Sequence, residues 1–474
     1  MTLKKKIEIG PLTRLEGHGK VTIHLDENGE VADAHFHVTE FRGFEKFCEG
    51  RMIWDMPVIT SRICGICPVS HHLAAAKACD DLLGAKIPPA ARKLRELMHM
   101  GQIINSHALH FFFLAAPDFV LTPDASPVSR SVVGVFQKNP DLAKKAIKLR
   151  KIGQTIIDKV GARAIHPVTA IPGGMSRALP HQDRFHLIQD AKEAVRLSGL
   201  AVDTAYALLD SYRDSLPSLG ASPTKHMGMV RGGALELYDG PIVMKDAVGK
   251  KIDEFDGRNY LSYIAEHVED SSWLKFPYYK REGWPDGIYR VGPLARLNVA
   301  EAIGTPEAGE RMKVFKSIGG TINESLYYHV ARTIELLYAS ERALELLNDD
   351  DIVSKDFRVK VEKTAGEGVG AIEAPRGTLI HHYWADDDGR ITKANFIVAT
   401  AHNNKAIDLS VKEMAKLYVK GDKIQEGMLN RVEMAVRCYD PCLSCSTHAI
   451  GRMPLDVALY AVDGTRLDAV RRDA

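Results

Sequence analysis

Between residues 5 and 41 apolar and polar positions alternate with a period of two. "KVTIHL", then "DENGE", then "VADAHFHVTEF" read as two strands joined at Asn28-Gly29, a dipeptide suited to a tight hairpin turn. The period then changes. Residues 68–83 begin with Pro68, suited to a first helical turn, and stop at Gly84, which predicts a helix. Residues 91–116 place Leu94, Leu97, Met98, Ile104 and Ala108 on one helical face. Further helical stretches cover 141–161, 182–214, 306–347 and 408–434, while 226–300, rich in Gly, Pro and aromatics, reads as loops and short strands. No repeat, linker or low-complexity tract marks a boundary. The pattern predicts a mainly α protein, with a helical-bundle core, a small N-terminal β-sheet and irregular excursions, forming a single domain.

Composition narrows the classes. A chain of 474 residues can bury a large core. Its charges nearly cancel, Lys+Arg 62 against Asp+Glu 61, so no basic surplus points to nucleic acid. No apolar run approaches the ~18–20 residues of a bilayer span, and the lysine-bearing N-terminus lacks the apolar segment of a secretory signal. Cysteine is sparse, seven in all, and five of them crowd at 64/67 and 438/442/445. That usage suits reduced thiols in the cytoplasm, held for metal or redox work.

Two of those groups are CxxC pairs, Cys64/Cys67 and Cys442/Cys445, at opposite ends of the chain. Pro68 follows Cys67, which puts the first pair at a helix N-terminus, where the dipole favours thiolate. Asp440-Pro441 reads as an N-cap with a first-turn proline, so Cys442, Cys445 and His448 recur every three residues along one helix face. Spacing alone leaves three readings. Four cysteines suit a structural zinc site, although such sites usually staple modules with little core of their own. A thioredoxin-like dithiol calls for one CxxC in a βαβ setting. A catalytic centre of soft transition metals also selects thiolates.

Taken together, the motifs resemble the large subunit of [NiFe]-hydrogenases. The resemblance runs from about residue 7 to 474 and rests on "RICGICPVSHH" (62–72) and "DPCLSCSTH" (440–448). "PLTRLEGHGK" (11–20), "EFRGFEKFCEGR" (40–51), "YRVGPLARLN" (289–298) and "EAPRGTL" (373–379) extend it. "FRGFEKFCEGR", "LKFPYYK" (274–280) and "HHY" (381–383) look most like the cytoplasmic, bidirectional, NAD-linked branch. The homologous quinone-reductase subunit of respiratory complex I lacks the four thiolates.

The resemblance implies roles residue by residue. All four cysteines would bind nickel, with Cys64 and Cys442 terminal and Cys67 and Cys445 bridging to an iron that also carries cyanide and carbon monoxide. Glu45, His448 and a backbone carbonyl near Phe396 would hold magnesium or a similar divalent cation, to which oxygen and nitrogen ligands are suited. Heterolytic splitting of H2 releases a proton that must be taken away. Cys442 is a candidate acceptor, Arg376 matches an arginine poised over the open metal position, Asp118 resembles the acid that partners that arginine, and Glu16 matches the first proton relay. His71 is a candidate hydrogen-bond donor to a bridging sulfur. At "FIVATAHNN" (396–404) the chain departs from the commoner pattern: Ala399-Thr400 stands where many relatives have Pro-Ser or Pro-Thr, and Thr400 keeps the cyanide-binding hydroxyl.

Blander readings stand beside these. Glu16 alone reads as a surface cap or turn carboxylate, Arg376 as an ion pair with Glu373 or Asp118, and His71 as a packed core histidine. Cys48, Cys79 and Cys438 read as small buried residues, and Phe111–Phe113 as core. Residues 449–474 read as a hairpin around Asp-Gly, after Gly451 and Pro454 stop the preceding helix. In the family such a tail is removed by a maturation endopeptidase. The expected activity is reversible conversion of H2 to protons and electrons. No further cysteine cluster serves iron–sulfur centres, so electrons are expected to leave through an iron–sulfur small subunit, then flavin subunits reaching NAD. The rivals are an H2-sensing or electron-bifurcating subunit with the same core, and a zinc-stapled scaffold without catalysis.

Overall fold

Alternation builds the N-terminal sheet as expected. Strands β1 (Lys5–Ile9), β2 (Gly19–Leu25) and β3 (Val31–Val38) pair antiparallel in that order. The Asp26 carboxylate accepts hydrogen bonds from the amides of Asn28 and Glu30 and so fixes the turn. The computed structural model describes residues 5–212, 214, 220–362, 364–420, 425–447, 455–461, 463 and 465–472.

Helix α1 (Pro68–Leu82) starts at its proline, with Cys67 as N-cap. Helix α2 (Pro89–Leu109) runs on through a π-turn at His110–Ala115 into Ala116–Val120. Helices α3 (Pro140–Gly161) and α4 (His181–Tyr212) follow. The stretch 306–347 is not continuous: Pro306–Ser317 ends before Gly319-Gly320, residues that destabilise helix interiors, and α5 (Tyr328–Asn348) begins afresh. Likewise 408–434 divides into α6 (Ala399–Tyr418) and α7 (Glu426–Cys438). The bundle packs α2 against α3 and α5, and α4 against α5. The helical stretch Pro89–Val120 corrects one expectation. It is long and apolar enough to cross a bilayer, yet 78% of its apolar window is buried inside the protein, as befits a core helix.

Helices take 49% of the chain and strands 21%, so it is mainly helical but carries more than one N-terminal sheet. Within 226–300 short strands build a sheet containing β4 (Lys225–Arg231), β5 (Ile242–Lys245) and β6 (Lys251–Phe255), and Ile264–Val268 pairs with Lys275–Tyr279 as a separate two-stranded sheet. A further three-stranded sheet was not foreseen: β7 (Gly366–Ala374), β8 (Gly377–Ala385) and β9 (Ile391–Ile397), antiparallel in chain order. Strand β7 lies directly on α1. The approach is so close that a Cβ on Gly370 would stand 2.1 Å from the Ala74 carbonyl oxygen, and only glycine against alanine permits it. Ala374 pairs with Gly377, so Pro375-Arg376 is the two-residue loop of the β7–β8 hairpin. Gly377 has φ 136°, and a Cβ there would meet Val291 at 2.1 Å. This geometry delivers Arg376 to the N-terminal end of α1. In the C-terminal segment, strands β10 (Leu455–Tyr460) and β11 (Arg466–Arg472) pair with each other as a separate two-stranded sheet. The expected stop at Gly451 and Pro454 lies outside the described residues, as does Gly464 of the Asp-Gly turn.

Candidate metal centre

The two CxxC pairs meet. Their sulfurs all lie within 4.8 Å of one another, and no other such ligand group occurs among the described residues. Sulfur separations are 3.2 Å for Cys64–Cys442, 3.1 Å for Cys67–Cys445 and 3.0 Å for Cys442–Cys445. All four are buried and free of disulfides. The Cys64 sulfur accepts from the amides of Ile66 (3.2 Å) and Cys67 (3.4 Å) at the start of α1, as the helix-terminus argument requires. Hydrogen bonds from Cys442 and the other thiols hold the Cys64 thiol well below its ordinary range. Burial pushes Cys442 and Cys445 well above theirs. A cation bound among the four sulfurs would replace their protons.

The second pair differs from expectation in local structure. Cys442 is itself the N-cap of a single turn, Leu443–Ser446, and Asp440 is no cap. Asp440 instead adopts φ 54°, which turns its side chain toward Arg376. Cys442 is held by its backbone: its amide donates to the Thr400 hydroxyl (2.9 Å), and the Leu443 amide donates to the Glu16 carbonyl (3.1 Å). Arg42 ties the two ends together, donating to the carbonyl of Ile63 (2.6 Å) and more weakly to that of Ser444 (3.4 Å).

Around the sulfurs stand most of the candidates from sequence. Arg376, 3% exposed, shares a small cavity with Cys67, Cys442, Cys445, Ala399 and Thr400. Its Nε donates to the Asp440 carbonyl (2.6 Å) and a terminal nitrogen to Asp440 Oδ1 (3.0 Å). Burial works against that charge, but Asp440 and the neighbouring sulfurs outweigh it and keep the guanidinium protonated. Asp118 does not meet Arg376. Its carboxylate is engaged by Arg14, by Arg437 (2.9 and 3.1 Å) and by Asn430 (3.1 Å), so the arginine's acid is Asp440. Nor does Glu373 pair with Arg376; it pairs with Arg296 at 2.8 Å. Burial raises the Asp440 carboxyl despite Arg376, and Oδ2 has no hydrogen-bond donor among the described residues.

Glu16 Oε2 lies 3.1 Å from Cys442 Sγ and accepts from the Ser444 amide at 2.9 Å, while its Oε1 takes the Ser444 hydroxyl. It is half-buried. His71 Nε2 sits 3.3 Å from Cys445 Sγ. The cation candidates are only partly assembled. Glu45 Oε1 accepts from the Phe396 amide at 2.9 Å, and burial raises its carboxyl although Lys275, 3.8 Å from Oε2, opposes that. His448 lies outside the described residues; the preceding Thr447 carbonyl accepts from the amides of Arg42 and Gly43, two residues before Glu45. Asp440, Ser444, Arg42 and His381 escaped the reading of the sequence. Asp440 and Ser444 stand beside and inside the second CxxC, and Arg42 and His381 lie in the family-like stretches 40–51 and 381–383, which are signals that could have marked them.

The donor set fits soft metals: four buried sulfurs, a fixed cation alongside, and little room for water. For a hard cation the described residues offer one carboxylate, already facing an ammonium.

The comparisons with known proteins agree with this chemistry. A family model described as nickel-dependent hydrogenase matches residues 42–133 and 244–448, and one described as HoxL-like matches 6–41. A vhu-type F420-non-reducing hydrogenase chain of Methanocaldococcus jannaschii is 49% identical over 416 residues, 88% of this chain and 100% of that protein. The beta chain of the NAD-reducing hydrogenase HoxS of Cupriavidus necator is 40% identical over 491 residues, 98% of this chain and 99% of that one. A solved NAD+-reducing [NiFe]-hydrogenase in the H2-reduced state superposes with a TM-score of 0.92 at 44% identity, covering 94% of this chain and 100% of that one.

Proposed function

This chain belongs to the nickel-dependent hydrogenase family, and on that footing we propose that it is the catalytic large subunit of a cytoplasmic hydrogenase. It interconverts H2 with protons and electrons at a nickel–iron centre held by Cys64, Cys67, Cys442 and Cys445. The observation that carries the reading is the buried four-sulfur cluster with a charged guanidinium beside it. A structural zinc site has no use for that arginine.

Bound there, nickel and iron supply the Lewis acidity that polarises H2 and the redox capacity that takes its electrons. The chain's own residues do the rest. Cys64 and Cys442 would hold nickel, and Cys67 and Cys445 would hold both metals. Ala399 and Thr400 would border the iron and its small ligands, in the cavity they share with Arg376. Arg376 remains charged, so it polarises and orients instead of acting as a base. The base is Cys442 Sγ, and Glu16 takes the proton onward across the 3.1 Å contact, held in line by Ser444. Asp440 is the residue that aims Arg376. Glu45, the Phe396 backbone and His448 would hold magnesium or a similar divalent cation.

Electrons leave through a partner. Burial pushes the Cys48 and Cys438 thiols up to about 12 and raises that of Cys79 well above its ordinary range, and among the described residues none of the three joins a ligand group. An iron–sulfur small subunit therefore accepts the electrons, and flavin subunits pass them to NAD. Residues 1–448 work as one domain, and a maturation endopeptidase removes 449–474. The family match ends at residue 448, and β10 and β11 pair only with each other. A second reading has its own support. The F420-non-reducing relative is the more identical one over its aligned region, at 49% against 40%, which favours a different acceptor behind the same metal centre. H2-dependent NAD+ reduction by the purified complex, with its subunits identified, decides between them.

A further inference from the structure

Behind the Cys445 sulfur, three buried side chains form a file leading away from the cluster. His71 Nε2 lies 3.3 Å from Cys445 Sγ, His71 Nδ1 is 3.1 Å from His381 Nε2, and His381 Nδ1 is 2.7 Å from the Tyr383 hydroxyl. His71 is 1% exposed, and His381 and Tyr383 are fully buried. His381 and Tyr383 stand two apart on one face of β8, and His71 rises from α1, on which β7 and β8 pack. A neutral imidazole offers one N–H and one lone pair, so each ring passes the direction of its hydrogen bond to the next.

We propose that His381 and Tyr383 are positioning residues that lock His71 as an N–H donor to the Cys445 sulfur. The inference rests on the reading of Cys445 as a metal ligand. Held to metal as a thiolate, the Cys445 sulfur has no proton to donate to His71 and can only accept. His71 must then hold its proton on Nε2, which leaves Nδ1 to accept. His381 meets that lone pair with its Nε2–H, and its own Nδ1 accepts in turn. The Tyr383 hydroxyl, donor or acceptor by rotation, closes the series as a donor. Reversed, the series would set a His71 lone pair against those of the sulfur. Burial pushes the Tyr383 phenol well above its ordinary range, so the proton it donates is present at any working pH. The consequence is electronic: a hydrogen bond to a ligating sulfur draws density off it and tunes the metals.

The test uses the purified complex containing the full chain, with nickel and iron assayed and the infrared bands of the iron's carbon monoxide and cyanide recorded. His381→Leu and Tyr383→Phe should keep their metals but shift those bands to lower wavenumber, the direction taken by His71→Leu. His381→Gln, whose amide can still donate to His71 Nδ1, should hold them at the wild-type position. Filling space alone would make Leu as good as Gln. Unmoved bands in both His381→Leu and Tyr383→Phe would overturn the inference, as would Gln shifting them as far as Leu. Tyr383→Phe loses a single oxygen and keeps the test available if His381→Leu folds poorly. A wild-type complex without nickel and without those infrared bands would instead overturn the reading of Cys445 as a ligand, and this inference with it.

Discussion

At Cys442 three demands meet on one side chain: it faces two other sulfurs and the Glu16 carboxylate, and its amide is fixed by Thr400. Serine keeps that shape but offers a neutral hydroxyl, a poor ligand for soft metals. Cys442→Ser is expected to lose H2 turnover and most of its nickel, measured on the same preparation. Glu16→Gln keeps the hydrogen bonds to Ser444 but cannot carry a proton, so exchange of H2 with D2O should fall at least tenfold while metal content holds. Undiminished exchange would move the proton path elsewhere. At this scale the sequence was most legible where ligand chemistry dictates spacing, as in the two CxxC pairs. It misled where backbone conformation decides. Asp440 reads as a helix cap from its neighbour Pro441, yet a left-handed φ of 54° makes it the partner of Arg376. Asp118 is drawn away by two arginines from distant segments.

Helix α1 and strand β7 set the distance between Arg376 and the sulfurs, and glycine makes that distance possible. Gly370→Ala would drive a methyl group into the Ala74 carbonyl, so β7 and α1 must part. We expect a loss of about 1–3 kcal/mol in unfolding free energy, read from denaturant unfolding, together with weaker nickel retention. Wild-type stability would mean that the two elements can slide apart freely. Strands β7–β9 went unread because β8 is buried on both faces: from Gly377 to Tyr383 every residue is buried, so the alternation that marked β2 and β3 is missing. The helix expected over 306–347 runs through Gly319-Gly320 because the apolar spacing resumes on the far side. The helices whose period was unbroken, α1 to α4, were legible nearly to their ends.

Over the whole molecule, burial leaves several histidines neutral: His72 and His107 are depressed to about 4, and His99, His329 and His402 to about 3. The unfolded chain protonates each of them below about 6.5, so there it binds more protons than the fold does, and stability falls as pH falls from about 6.5 toward 4. Each histidine contributes at most about 1.4 kcal/mol per pH unit to that slope. Urea unfolding at pH 7 and pH 5 should therefore show a clearly lower midpoint at pH 5; equal midpoints would contradict neutral burial. The tail belongs to this scale too. If 449–474 is removed on maturation, mass spectrometry of active enzyme should find a chain ending at His448, and a catalytic chain ending at Ala474 would refute the processing. The central claim is that the four thiolates hold nickel and iron. Metal analysis of the purified native complex, beside its Cys442→Ser counterpart, tests it most directly. Nickel, with iron in excess of it because the iron–sulfur subunit carries iron of its own, and nickel lost in the variant is the predicted result; zinc in place of nickel in the wild type, lost in the variant, would contradict it.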